Sequence, residues 1–273
     1  MNKKLSECDV SLQDFKRLGV FADWSLPTDE DIRFVAEDLA FDDIIVGLWP
    51  KKNEKGWKCR FKIADVLSRV ISCESAGLNP VLMMWGLRDE LAIMQMCSFA
   101  GAIMRRKQMI LLDLEEGWYH GSINAVSAGM LVAKKLSGRS WGVTGIARVT
   151  PTVAPIVGLS TFNVPQCYSF WKPGGDHWSH SKATFPGAQQ RNGVIQWRRA
   201  NGDAKIIMGL GGYWAERPAN RNTPMLSLEQ TMRMSAIETL ACGVDSAWYW
   251  SLKWLKKKTK TGRRTRRFFG IID

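Results

Sequence analysis

The sequence predicts an α/β protein, a single closed (β/α)8 TIM barrel with a basic C-terminal tail, and three observations lead there. Eight short apolar runs alternate with helical stretches along the chain, the order that builds a parallel sheet with helices outside it. No glycine-rich phosphate fingerprint follows the first run, as an open nucleotide-binding sheet would need, and Gly209-Leu210-Gly211-Gly212 after the seventh lacks the dinucleotide spacing. A length of 273 residues suits one such barrel.

Residues 19–23 read as the first strand, and Thr28 with Asp31 caps an amphipathic helix through Phe41. Residues 44–49 form the second strand; a basic loop to Arg60 then leads into a helix that stops near Gly77. Residues 79–85 are the third strand, followed by a helix over 89–106. The fourth strand starts at Met109, and its helix begins at Ser122 and stops at Gly138. Residues 141–146 are the fifth strand, after which Thr150-Pro151 opens a short helix by the preference of proline for the first helical turn. Residues 162–168 are the sixth, and 172–203 read as an irregular active-site loop followed by a short helix. Residues 205–210 are the seventh strand, Ser227 with Gln230 makes a capping box for a helix to Cys242, and residues 246–250 are the eighth strand. Residues 1–252 therefore form the barrel and 253–273 the tail.

The charge is uneven. There are 38 basic and 26 acidic residues, a net +12, and nine of the basic residues fall within 253–267, where there is no acid. Basic groups gathered at one end suit an accessory electrostatic role toward anionic cell wall, lipopolysaccharide or a membrane surface. A nucleic-acid protein would spread them over a recognition face. No apolar run reaches the length of a membrane span, and the start turns polar too early for a signal peptide, which predicts synthesis in the cytoplasm. The six cysteines form no CxxC pair and His177 with His180 is a weak spacing, so neither a metal nor another cofactor is expected.

The chemistry concentrates where the fourth apolar run, Met109-Ile110-Leu111-Leu112, ends in Asp113-Leu114-Glu115-Glu116. Strand alternation points Asp113 and Glu115 the same way and Glu116 the other. Like-facing carboxylates at a strand end can be driven to different protonation states, one an acid and one ionised. In a parallel barrel, the carboxyl ends of the strands carry the reactive groups. Seven of the 13 tryptophans, Trp24, Trp49, Trp85, Trp118, Trp171, Trp214 and Trp250, stand at or just after the end of an apolar run, which suits stacking against sugar rings.

Leu112-Asp113-Leu114-Glu115 resembles the fourth-strand ending of glycoside hydrolase family 18, the chitinase-like barrels. Residues 163–168, ending in Tyr168, resemble that family's sixth strand, residues 205–210 with Tyr213 its seventh, and residues 243–251 its eighth. Two positions depart from the pattern, Leu111 for an earlier aspartate and Ser169 for the aspartate after the tyrosine. A close rival is the resemblance to the family 25 lysozymes, which also space a strand-borne aspartate and glutamate by one residue, and Asp23 looks like the additional acid that they place at the end of strand one. Either resemblance implies cleavage of an N-acetylated amino-sugar polymer.

Together these imply Glu115 as general acid, Asp113 as the group that orients the substrate's acetamido arm or stabilises charge at the anomeric carbon, and Tyr168 as a hydrogen-bond donor to the intermediate. Asp23, Trp24, Trp49, Trp85, Trp118, Trp171, Tyr213 and Trp250 are the expected substrate-binding residues. Glu116 and Asp245 are second-line acids, and Gln166, His177 and Arg198 are loop residues that could assist binding. The expected activity is that of a bacteriolytic peptidoglycan hydrolase, a lysozyme (muramidase) or glucosaminidase of endolysin type. It would reach the wall after membrane permeabilisation in a phage-infected host and degrade it. The alternatives are a chitinase-like enzyme and a barrel that binds glycan without turnover.

Overall fold

The computed structural model describes residues 12–22, 25–51, 58–85, 89–114, 116–119, 124–168, 188–211, 228–256 and 268–269. Strands β1 (Arg17–Phe21), β2 (Asp43–Leu48), β3 (Asn79–Met84), β4 (Ile110–Asp113), β5 (Trp141–Ile146) and β6 (Phe162–Gln166) pair in sequence order, all parallel. The seventh position is shared by two short segments, β7 (Lys205–Ile206) and β8 (Met208–Gly211), both paired with β6. β9 (Ser246–Trp250) pairs with β8 on one side and β1 on the other and so closes the ring. Eight parallel strand positions thus form one (β/α)8 barrel, the class the sequence predicts.

Alternation sorts the apolar side chains into two cores. Phe21, Ile45, Met83, Leu111, Val164 and Trp248 belong to the cluster that fills the barrel, while their sequence neighbours Val20, Ile44, Leu82, Leu112 and Val143 pack outward against the helices. Trp248 is accommodated because Gly19 lies opposite it, where a Cβ would come within 2.6 Å of the indole. The floor of the barrel is polar but fully matched. Asp43, with no exposure, accepts from Arg17 Nε and Nη2 at 2.6 Å each and from Trp248 Nε1 at 2.8 Å. This pairing also explains why β1 begins two residues earlier than its apolar run predicts, since Arg17 is held in the strand by a carboxylate that the local sequence does not reveal.

The helices follow their caps. Thr28 accepts from Asp31 N at 3.1 Å and donates its own N–H to the Asp31 carboxylate, starting α1 (Asp29–Arg33), which continues as a π-helical turn over Phe34–Asp38. α2 (Ile63–Ser75) ends just before Gly77, whose φ of +81° favours glycine. α3 (Glu90–Ile103) is capped by Asp89 and stops short of Arg106 because the Arg139 guanidinium binds the Gly101 and Met104 carbonyls of its last turn. A short α4 (Glu116–Tyr119) follows β4. α5 (Ala125–Lys135) starts from an Asn124 cap rather than from Ser122, which lies outside the described residues. A turn over residues 151–153 precedes α6 (Ala154–Leu159).

α7 (Ala188–Ala200) is a full helix of 13 residues in a region expected to be mostly irregular. Tertiary contacts hold it: Gly193 lies against the Cys167 thiol, and the buried Trp197 donates to the Ala147 carbonyl at 3.1 Å. α8 (Leu228–Ala241) and α9 (Leu252–Lys256) complete the outer layer. Across the expected start of the tail, Leu252 and Leu255 are buried, and Lys256 pairs with Asp31 at 2.7 Å and Glu30 at 3.3 Å. Phe268 and Phe269 pack against Tyr249, with Phe269 also on Phe41. No described helix is long and apolar enough to cross a membrane.

Candidate active site

Three neighbouring strands place polar side chains together at the carboxyl end of the barrel. Asp113 is the last residue of β4, on the same strand face as the interior residue Leu111, and is 4% exposed. β5 sets Thr144 in register beside it, and β6 brings Gln166, its last residue. Gln166 Nε2 donates to Asp113 Oδ1 at 3.2 Å and to Thr144 Oγ1 at 3.3 Å. The Thr144 hydroxyl in turn donates to the Val164 carbonyl at 2.8 Å, which leaves its oxygen as the acceptor that Gln166 uses. One carboxylate is therefore held at a fixed angle by a side-chain amide anchored in the adjacent strands, the kind of support that keeps a reactive group in its working geometry.

Further aromatic residues stand at the same end of the barrel. Trp49 and Trp85, just beyond β2 and β3, have ring centroids 4.7 Å apart at 53°, Trp49 nearly buried and Trp85 partly exposed. Trp250, joined to Ser251 by a cis peptide, lies 5.1 Å from the Phe21 ring and is partly exposed. Tyr168 is also partly exposed, two residues beyond Gln166.

Trp118 departs from expectation. The chain turns into α4 at Glu116, strand alternation ceases, and the indole is fully buried in the layer between strands and helices. It is a packing residue and does not face an open mouth. Asp245 is likewise not at this end: its carboxylate pairs with Lys16 at 3.0 Å beside the amino end of β9, and the Lys16 hydrogen bond holds it below the usual carboxylate range. Arg198 donates to the Cys242 and Gly243 carbonyls beyond the end of α8, away from Asp113. Glu115, Asp23, Trp24, Trp171, Tyr213, Trp214 and His177 lie outside the described residues.

Thr144 is the site residue that the sequence reading misses. It is the one hydrogen-bonding side chain besides the indole of Trp141 within Trp141–Ile146, a signal that could have marked it. Thiol chemistry does not fit the three buried cysteines. Burial pushes Cys73 and Cys97 up to about 12 and Cys167 further still, so none of these is a thiolate near neutral pH. Among the described residues no group of three or more His, Cys, Asp or Glu could hold a metal ion.

No protein-family model and no curated protein matches the sequence. Solved structures do resemble the fold. A family 5 glycoside hydrolase from Prevotella bryantii matches over 94% of this chain and 96% of its own, with 12% identity and a TM-score of 0.59. Active domain 2 of a chitinase from Pyrococcus furiosus matches over 93% of both chains, with 9% identity and a TM-score of 0.61. The spore cortex-lytic enzyme SleL of Bacillus megaterium matches over 95% of this chain and 74% of its own, with 11% identity and a TM-score of 0.59. At these identities the likeness is one of fold.

Proposed function

We propose that this protein is a glycoside hydrolase acting on a β-linked polymer of N-acetylated amino sugars, bacterial peptidoglycan in the first instance, as a muramidase or glucosaminidase. The observation that carries the reading is Asp113, buried at the carboxyl end of β4 and held by Gln166, with Glu115 two residues on in sequence. That the resembling folds include a chitinase and a cortex-lytic enzyme adds support.

In this reading Glu115 protonates the glycosidic oxygen as the bond to the anomeric carbon breaks. Asp113 orients the 2-acetamido group so that its carbonyl oxygen attacks that carbon, and water then opens the resulting ring, returning a proton to Glu115. Such substrate assistance needs no second protein carboxylate at the spacing of ordinary two-carboxylate enzymes. Tyr168 donates a hydrogen bond to the intermediate, while Trp49, Trp85 and Trp250 offer apolar faces to the sugars. The basic residues of 257–267 hold the enzyme to an anionic wall or lipid surface. Neutralising Lys257, Lys258, Lys260, Arg263 and Arg264 should weaken wall sedimentation without lowering turnover of soluble fragments.

A second reading, a barrel that binds glycan without cleaving it, is favoured by Leu111, fully buried where the family 18 pattern carries an aspartate. Digestion of purified peptidoglycan with mass analysis of the new reducing ends decides between them. New reducing N-acetylmuramic acid marks a muramidase, new reducing N-acetylglucosamine a glucosaminidase, and intact glycan with retained binding would leave the lectin reading.

A further inference from the structure

The opposite end of the barrel holds a feature that glycan cleavage does not use. An open cavity of about 430 Å³ lies at the amino ends of β1, β3 and β4, lined by Arg17, Arg105, Arg106, Lys107, Glu74 and Gln108 among others. Four cations face one carboxylate there. Two of the cations are matched: Arg17 by Asp43 behind it, and Arg105 by Glu74 at 3.2 Å. Arg106 and Lys107 are exposed and have no acidic partner among the described residues.

The groups that line the cavity are also pre-positioned. Asp43 fixes the Arg17 guanidinium through Nε and Nη2, and Nη1 is not used in that pairing. On the other wall the turn 105–108 is locked on itself, because Arg105 N–H donates to Gln108 Oε1 at 2.6 Å and Gln108 N–H to the Arg105 carbonyl at 3.1 Å. Gln108 Nε2 then ties the turn to Glu74 at 2.8 Å. Arg106 and Lys107 therefore project from the apex of a braced turn instead of a loose loop. Like charges gathered around a hollow repel one another, and that repulsion is relieved when an anion enters.

We propose that this cavity binds a phosphate-type oxyanion carrying at least two negative charges, bridged between Arg17 on one wall and Arg106 and Lys107 on the other. Guanidinium forks suit such oxygens, and a ligand spanning both walls must carry more than one charge. The site is independent of the glycan-cleaving end and stands or falls separately from it.

Isothermal titration of the protein with inorganic tripolyphosphate tests this, alongside R106A/K107A and a control with Lys51 and Lys62, both exposed and away from this cavity, changed to Gln. Both lining residues are exposed, so the double variant should melt at the wild-type temperature. Binding is expected in wild type and in the control, and weaker by about ten-fold or more in R106A/K107A, the loss of charge-assisted hydrogen bonds. Equal affinity in wild type and R106A/K107A would overturn the site, as would an equal loss in the control, which would reveal diffuse charge attraction. A competition arm with poly(glycerol phosphate) separates the sources: displacement of tripolyphosphate assigns the site to a phosphate polymer, and no displacement assigns it to a free oligophosphate.

Discussion

At the scale of single residues, the proposed chemistry depends on how Asp113 is held. Gln166 supplies the amide that fixes its Oδ1, and Thr144 fixes the amide. In the proposed reaction Gln166 is thus a positioning residue, and truncating it should lower kcat more than it raises KM. For Gln166→Ala, with the carboxylate still present but freer to rotate, a loss in kcat of roughly ten- to hundred-fold is expected, measured on soluble peptidoglycan fragments. Gln166→Glu, which places a second carboxylate against Asp113, should be no better than alanine. An unchanged kcat in both variants would remove Gln166 from the working geometry.

At the scale of elements, strand spacing and helix caps each carry a prediction. β5 and β6 approach so closely at Gly142 that a Cβ there would lie 2.5 Å from the Phe162 ring and carbonyl oxygen. Because one of those atoms is backbone, Gly142→Ala should destabilise the barrel by about 1–3 kcal/mol, read as a lower urea midpoint. At the start of α1, burial works to raise the Asp31 carboxyl. Hydrogen bonds from Lys256 and from Thr28 outweigh it and hold the group below its ordinary value. A carboxyl depressed in the folded state stabilises the fold above its unfolded pKa and loses that contribution as pH falls through the folded value. The melting temperature should therefore drop as pH falls below about 4, and Asp31→Asn should flatten that part of the curve.

The same elements show why the fold was legible in the sequence and the site only partly so. Eight apolar runs, the Thr28 box and Gly77 are local signals, and each marks an observed feature, with the first strand shifted and the seventh broken in two. The early start of β1 at Arg17 depends on Asp43, and α7 on Gly193 and Trp197 meeting the rest of the barrel. The break at Ile207 interrupts a run with no turn residue to announce it. Asp113 could be read from alternation along one strand. Its support by Thr144 and Gln166 is a product of register between three strands, which no local pattern encodes.

At the scale of the whole molecule, the proposed glycan site and the proposed anion site fall at opposite ends of the barrel. The amino end contains the matched Arg17, Asp43 and Trp248 cluster and the basic cavity, while the carboxyl end gathers Asp113, Gln166, Tyr168 and three tryptophans. Placing the proposed chemistry at the carboxyl end of the strands follows the usual arrangement of such barrels. Glycan cleavage by Asp113 and Glu115 is tested by comparing wild type with Glu115→Gln for release of reducing ends from purified peptidoglycan, with sedimentation to the same material as a binding control. Release should fall by about 10²-fold or more in the variant while binding is kept. Equal release from both proteins, or none from wild type, would contradict it.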